Sequence, residues 1–280
     1  MRISDGQRAV LSSFVCERLK ENDNRELVAS IKASRNPGLV KILGSDSTWE
    51  EEQQDSTAYY VVKNTDGLIL AFFSIRCGEL FMSLNDELMT FSEKAYNALR
   101  AAVGTANPPK EVLENARKIV KEASARNLTM DDILNFAKKK QSYKKDVSYE
   151  ESMEINRVAK IYPAIDLNLF GVNEDARAFW KSTGLPQRMG ETLFWYFIVT
   201  KLETVLSNVG AKYLYLFAAD DIPDGALVNY YKVRLQFEIP PELGANKPHF
   251  DFQCQFMCRE IAKLIQFKEY FFDHFNSPIV

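Results

Sequence analysis

Apolar positions recur along this chain with two periods, two and about 3.6, and the switches between them predict its elements. Residues 8–34 carry Leu11, Phe14, Val15, Leu19, Leu27, Val28 and Ile31, which reads as an amphipathic helix or a broken pair of helices. After Asn36-Pro37-Gly38 the chain turns polar and acidic through Glu50-Glu51-Glu52. Ala58-Tyr59-Tyr60-Val61-Val62-Lys63 and Leu68-Ile69-Leu70-Ala71-Phe72-Phe73-Ser74-Ile75 then flank Asn64-Thr65-Asp66-Gly67. That is a hairpin signal, because Asp-Gly suits a turn that needs positive φ. Helical spacing follows from Asp86 to Val103, from Pro109 to Ala125 behind Asn107-Pro108, and from Met130 to Lys140 with Thr129 as the N-cap.

The second half alternates more tightly. A strand is predicted from Pro163 to Val172, then a helix whose stripe is Leu193-Phe194-Trp195-Tyr196-Phe197-Ile198-Val199 with Leu202, Val205, Leu206 and Val209. A strand from Ala211 to Phe217 and a Tyr-bearing helix from Ala226 to Arg234 come next. In the tail, His249-Phe250-Asp251-Phe252 reads as a strand, and Gln253 to Gln266 as a helix running on to Tyr270-Phe271-Phe272.

Between the first of these strands and the long helix lies the loop Gln187-Arg188-Met189-Gly190-Glu191-Thr192. A Gly-containing turn that opens a helix leaves several N–H groups unpaired and pointing one way, at the positive end of the helix dipole. It is a site for phosphate or diphosphate.

This segment resembles the acyl-CoA-binding core of the GCN5-related N-acetyltransferases, the GNAT enzymes. Their signature is Gln or Arg, two residues, Gly, one residue, then Gly or Ala; here Gln187 and Gly190 match, and Thr192 departs. The resemblance covers roughly residues 58–80 and 160–252 and is best specified from 163 to 237. It implies an α/β (α+β) fold, a twisted, mostly antiparallel sheet split at a cofactor cleft and flanked by helices. The whole chain then reads as one GNAT-like domain, with residues 82–158 a helical insertion between the third and fourth core strands. The insertion fits a substrate-selecting element, a stabilising appendage or a dimerisation surface equally well, so a homo-oligomer stays open.

The resemblance also implies roles. The loop from Gln187 to Thr192 would hold the diphosphate of acetyl-CoA, and the backbone of Leu169, Phe170, Gly171 and Val172 would pair with the pantetheine arm. Gly171 suits a bulge or a close approach. Alternation along the strand places Ile165, Leu167 and Leu169 on one face and Asp166, Asn168 and Phe170 on the other. Asp166 is the candidate base and Asn168 its companion, although a solvent-facing or capping role for both accounts for the pattern better. Tyr231 is the candidate acid for the departing thiolate, Tyr230 competes with it by one residue, and Asn229 is a candidate pantetheine contact. The family's helix-end pattern has Gly before Phe; this chain has Gln236 before Phe237 and one extra residue.

The implied activity is acetyl transfer from acetyl-CoA to a primary amine, without a metal. A GNAT-like binding or interaction protein without turnover is the alternative, as is acetylation of aminoacyl-tRNA of the toxin type. Only the basic run Lys138-Lys139-Lys140-Gln141-Ser142-Tyr143-Lys144-Lys145 points to RNA, and such a run also suits the solvated end of a helix.

Composition trims this list. In 280 residues with 46% hydrophobic content there is material for one good core, and a net charge of −3 argues against a surface coated for nucleic acid. The N-terminal residues show no apolar signal core, and the run at 193–199 is too short to span a bilayer, so the expectation is a cytoplasmic protein. Four cysteines are too few for a disulfide scaffold. Cys254 and Cys258, four apart, would share a face of the expected helix beside His249, with His274 the other histidine; packing accounts for them better than zinc.

Overall fold

The computed structural model describes residues 1–22, 24–34, 37–83, 86–104, 106–143, 158–219, 225–246 and 254–277. The chain divides into two compact units, one made of Met1–Leu80, Tyr162–Pro240 and Ala245–Val280, the other of Phe81–Ile161 with Pro241–Gly244.

In chain order the elements are α1 (Asp5–Ser12), β1 (Val15–Arg18), α2 (Asn24–Leu27), α3 (Pro37–Leu43), α4 (Asp46–Gln53), β2 (Ala58–Lys63), β3 (Ile69–Ser83), α5 (Asp86–Val103), α6 (Lys110–Ala125), α7 (Met130–Tyr143) and β4 (Val158–Val172). They continue with α8 (Arg177–Ser182), α9 (Met189–Leu193), a π-helical segment Phe194–Ile198, α10 (Val199–Leu206), β5 (Tyr213–Ala219), α11 (Ala226–Arg234), β6 (Leu243–Gly244), β7 (Cys254–Glu260) and α12 (Ile261–Asp273). The strands follow the order β1-β2-β3-β4-β5-β7, with β6 paired to β3 at Phe81 and Met82. Pairs β1/β2, β2/β3 and β5/β7 are antiparallel and β4/β5 is parallel. This mixed, mostly antiparallel sheet with flanking helices is GNAT-like.

In the first unit the sheet is packed on both faces. One face carries the larger cluster, with Val62, Phe73 and Ile75 from the hairpin, Ile165 and Leu167 from β4, and Leu193, Phe194, Trp195, Val199 and Leu202 from the long helical run. Tyr60 stacks on Phe73 there at 4.9 Å between ring centroids. The other face carries Tyr59, Val61, Ile69, Phe72 and Leu169 with Leu19, Val28, Ile31 and Leu43. Alternation along β2 sends successive residues to opposite clusters, as a two-residue period requires.

The hairpin forms as its turn chemistry predicts. The Asn64 side chain accepts from the N–H of Asp66 and of Leu68 at 3.0 and 2.8 Å, while Gly67 takes φ 83°. The N-terminal region corrects the helical reading of residues 8–34. Helix α1 stops at Ser12 after a capping box between Ser4 and Gln7, and Val15–Arg18 leaves it to become an edge strand along β2. The acidic stretch holds two helices, α3 and α4, the latter capped by Ser45. Val209 lies beyond the end of α10 and is exposed, so it adds nothing to the stripe.

In the second unit α5 packs against α6 and α7, burying Leu88, Ala95, Ala116, Ala123, Ile133 and Phe136. Thr129 caps α7: its hydroxyl accepts from the Asp132 N–H at 3.3 Å and the Asp132 carboxylate accepts from the Thr129 N–H at 2.8 Å. The side chains of the basic run from Lys138 lie outside the described residues.

The tail differs from its prediction. His249–Phe252 lies outside the described residues, and Cys254–Glu260 is strand β7 rather than helix. Its sequence explains this, since Phe256, Met257 and Cys258 suit a strand that pairs with β5 along its whole length. Four positions along a strand span about 13 Å, so Cys254 and Cys258 are too far apart to share one ion. Among the described residues no helix is long and apolar enough to cross a membrane.

Candidate functional site

Strand β4 has two halves. Its first half pairs with β5 at Ala164↔Tyr213, Ile165↔Leu214 and Asp166↔Tyr215, where the pairing ends. Both strands nevertheless continue, β4 to Val172 and β5 to Ala219. The faces slip at the same place. Ile165 and Leu167 belong to the larger cluster, Leu169 belongs to the opposite one beside Phe72, and Phe170 and Val172 pack against the larger cluster again. Residues two apart on a regular strand share a face, so one residue is extra near Asn168, which is a β-bulge. The buried N–H of Leu169 donates to Ser74 Oγ at 3.1 Å. This corrects the simple alternation: Leu169 does not side with Ile165 and Leu167, and Phe170 does not side with Asp166. Beyond the bulge, Gly171 is required by a neighbour, because an added Cβ would stand 2.5 Å from Phe72 Cζ.

Opposite this open half stands the glycine loop. Trp180 Nε1 donates to the Gln187 carbonyl at 2.9 Å, and the Gln187 side chain donates to the carbonyls of Phe275 and Ser277, so Gln187 is spent on anchoring the loop. Arg188 is the N-cap residue of α9 and makes no side-chain cap. The first turn closes with Thr192 N–H on the Arg188 carbonyl at 3.0 Å, which leaves the amides of Met189, Gly190 and Glu191 without an intrahelical acceptor. The aromatic run Phe194–Ile198 widens into a π-helix before α10 continues to Leu206.

Gly190 packs closely as well. An added Cβ would lie 3.1 Å from Tyr230 Oη and 3.3 Å from Val172 Cγ1. The structure thus brings together Gly190, Phe170, Val172 and Tyr230, from the loop, β4 and α11. Glu191 is 6% exposed, and its Oε2 has no hydrogen-bond partner. Burial raises its carboxyl, against the pull of Arg234 and then Arg188. Thr192 Oγ1 and Trp195 Nε1 are also buried without partners. Burial, with Glu191 next, pushes the Tyr230 phenol far above the usual tyrosine range, so it stays protonated at every ordinary pH.

Tyr231 points elsewhere. It is 8% exposed, lies in the same cluster as Leu167, Leu216 and Ala218, and meets Phe237 edge-on at 5.9 Å. Asn229 is exposed on α11. Gln236 adopts φ 62°, so the position where the family pattern has Gly does take the left-handed conformation that favours it.

On the face away from the long helix, Asp166 is 2% exposed and accepts from Arg76 Nε and Nη2, both at 2.9 Å. Burial raises the Asp166 carboxyl and the Arg76 guanidinium opposes this. Tyr215, one step away, is pushed up to about 12 by burial and then by Asp166. An added Cβ on Gly78 would stand 2.5 Å from Tyr215 Oη, so Gly78 admits this ring. Beside the hairpin, Tyr59 donates its hydroxyl to Glu51 at 2.7 Å. Sequence reasoning missed Arg76, Tyr215 and Arg234. The signal for the first was present: one arginine and one aspartate, each inside an apolar strand, call for each other as partners.

These residues fit the diphosphate of an acyl-CoA in one respect and resist it in another. Three amides without intrahelical acceptors and the guanidiniums of Arg188 and Arg234 suit an anion, and the open half of β4 offers backbone for an extended arm. Gly190, however, is filled from its free side by Tyr230 and Val172, and Glu191 adds a buried carboxylate nearby. The donor set fits the group, and the loop backbone with the two arginines would hold it.

The mixed, mostly antiparallel sheet with its flanking helices is a GNAT-like fold. No family model matches the chain, and no curated protein matches it. Among solved structures, AtaTR bound with AcCoA shares 10% identity at a TM-score of 0.45, covering 91% of this chain and 98% of that one. AtaT complexed with acetyl-methionyl-tRNAfMet shares 10% at 0.46, covering 91% and 98%. A KacTA–DNA complex shares 9% at 0.45, covering 92% and 99%.

Proposed function

We propose that the protein transfers an acetyl group from acetyl-CoA to a primary amine. The observation that carries the reading is the opening of β4 from β5 after Asp166↔Tyr215, with β4 bulged, opposite a helix start that bears uncapped amides. The edge of Leu169 to Val172 that is not paired with β5 would hold the pantetheine arm, and Met189 to Glu191 with Arg188 and Arg234 the diphosphate.

Acetyl-CoA supplies the activated thioester; the chain supplies position and protons. Tyr231, in the cluster that holds Leu167, Leu216 and Ala218, would donate its phenolic proton to the departing thiolate. Asp166, whose carboxyl is raised by burial, would take the ammonium proton through water, with Arg76 fixing its orientation. Tyr230 would line the diphosphate end beside Gly190. Asn168, at the bulge, would orient the amine, and Asn229, being exposed, is left to the mouth of the cleft. A second reading, binding without turnover, draws on the buried carboxylate of Glu191 next to the anion loop.

Calorimetry with CoA tests the first reading. Wild type should bind, Arg188→Gln with Arg234→Gln should lose affinity by at least tenfold, consistent with two charge-assisted contacts, and Gly190→Val should bind weakly while circular dichroism shows it folded. No CoA binding by the wild type would end the acyltransferase reading. Binding without thiol release in the presence of amines would leave the second.

A further inference from the structure

Away from the cleft, α1, the π segment with α10, and α12 line an open cavity of about 420 Å³, a size that suits a small ligand. Its apolar surface comes from Ile3, Tyr196, Phe197 and Phe272, with Tyr196 and Phe272 edge-on at 6.0 Å. Its polar surface is cationic: Arg8 from α1, Lys201 from α10 and Lys268 from α12, with the hydroxyls of Thr200 and Thr204. These cations differ in what already holds them. Lys268 is paired with Glu203 at 2.8 Å and donates to Thr200 Oγ1 at 2.9 Å. Lys201 lies over the Tyr60 ring at 5.1 Å and has no carboxylate among the described residues, and Arg8 has neither an ion pair nor a side-chain hydrogen bond among them.

We propose that this cavity binds a small aryl carboxylate, its ring against Tyr196, Phe197 and Phe272 and its carboxylate between Arg8 and Lys201. An aromatic floor favours a flat apolar body, which can stack or meet rings edge-on. Two cations without carboxylate partners at the rim favour an anion, and the planar guanidinium of Arg8 matches a carboxylate in a fork. A neutral aromatic would leave the cations unanswered. The widened helix at Phe194–Ile198 sets Tyr196 and Phe197 on this wall, a use to which π-helical turns are often put. The site stands independently of the acyltransferase reading, since it shares no residue with the glycine loop.

The test is a protein-observed NMR titration of the full chain with indole-3-acetate, alongside indole-3-ethanol as the neutral analogue and octanoate as the aliphatic one. Indole-3-acetate should give saturable shifts in residues 194–204, and Arg8→Gln with Lys201→Gln should weaken it at least tenfold, while the neutral analogue should bind equally weakly to both proteins. Thr204→Trp should abolish binding by filling the mouth while leaving CoA affinity unchanged. No saturable shift by indole-3-acetate, equal binding of indole-3-ethanol, tighter binding of octanoate, or undiminished binding by the double variant would each overturn the proposal.

Discussion

The two halves of β4 are made of similar residues and do different work. From Ala164 to Asp166 the strand is bonded to β5, its faces alternate regularly, and its one charge is neutralised by Arg76. From Leu167 to Val172 it has no partner on β5, its faces slip at the bulge, and its glycine is overlain by Phe72. A strand can give up its ladder on one side only where something else satisfies its backbone. Ser74 of β3 takes the Leu169 N–H on the opposite side, and on the side facing β5 an extended ligand would do so. The first half is tied into the sheet, and the second half is the one the proposed cofactor would use.

The sharpest way to break that division is to remove the hydroxyl proposed as the acid. Tyr231→Phe should keep the fold and CoA affinity and lower kcat by about 10²–10⁴, the usual cost of losing a positioned acid. Stopped-flow thiol release measures it, with Tyr230→Phe as the neighbour control. Full turnover in Tyr231→Phe would take the acid away from this residue.

A smaller effect tests the bulged half as structure. Gly171→Val places methyl groups where the Phe72 ring stands, so it should cost about 3 kcal/mol in a denaturation experiment, and Phe72→Leu in the same chain should restore part of that. If Gly171→Val is neutral, the strand can move and the open half is not fixed by packing.

The smallest effect falls at the boundary. Asp166→Asn keeps the shape and removes the charge that Arg76 answers. Arg76 is 38% exposed and can recover water, so the loss should be about 1–2 kcal/mol rather than that of a fully buried pair. If Asp166 also takes the ammonium proton, the variant should lose the rising acid limb of the kcat/KM profile as well as that stability. A stability loss alone would make Asp166 a structural partner of Arg76.

The parts of this molecule that were legible from residues are those that local chemistry decides. The Asn64–Gly67 turn, the helices from Asp86 to Tyr143 and the helix opening at Met189 follow from caps, turn residues and period. Strands β1 and β7 were hidden because their fate depends on distant partners: Val15–Arg18 is claimed by β2, and Cys254–Glu260 by β5. A bulge in β4 was expected at Gly171, but its place near Asn168 was hidden, since Leu167, Asn168 and Leu169 read as regular alternation until Phe72 and Ser74 are in place. Within the site, Gly190 was legible as a glycine and not as the seat of Tyr230. Gln236 shows the converse case, a side chain kept in a left-handed conformation where pattern alone would demand glycine.

The anchor of Gln187 on the carbonyls of Phe275 and Ser277 has a dynamic consequence. Those same residues neighbour Asn276, which bonds to Met1, Arg2 and Gln7, so one short segment clasps the chain's first residues and the loop together. A local opening of that segment releases both at once, and the amides of residues 187–192 should then exchange with solvent deuterium at a rate set by the departure of α12's end rather than by breathing of their own helix. If the loop receives an anion as proposed, its readiness would be governed from 88 residues away along the chain, by a latch that touches no ligand.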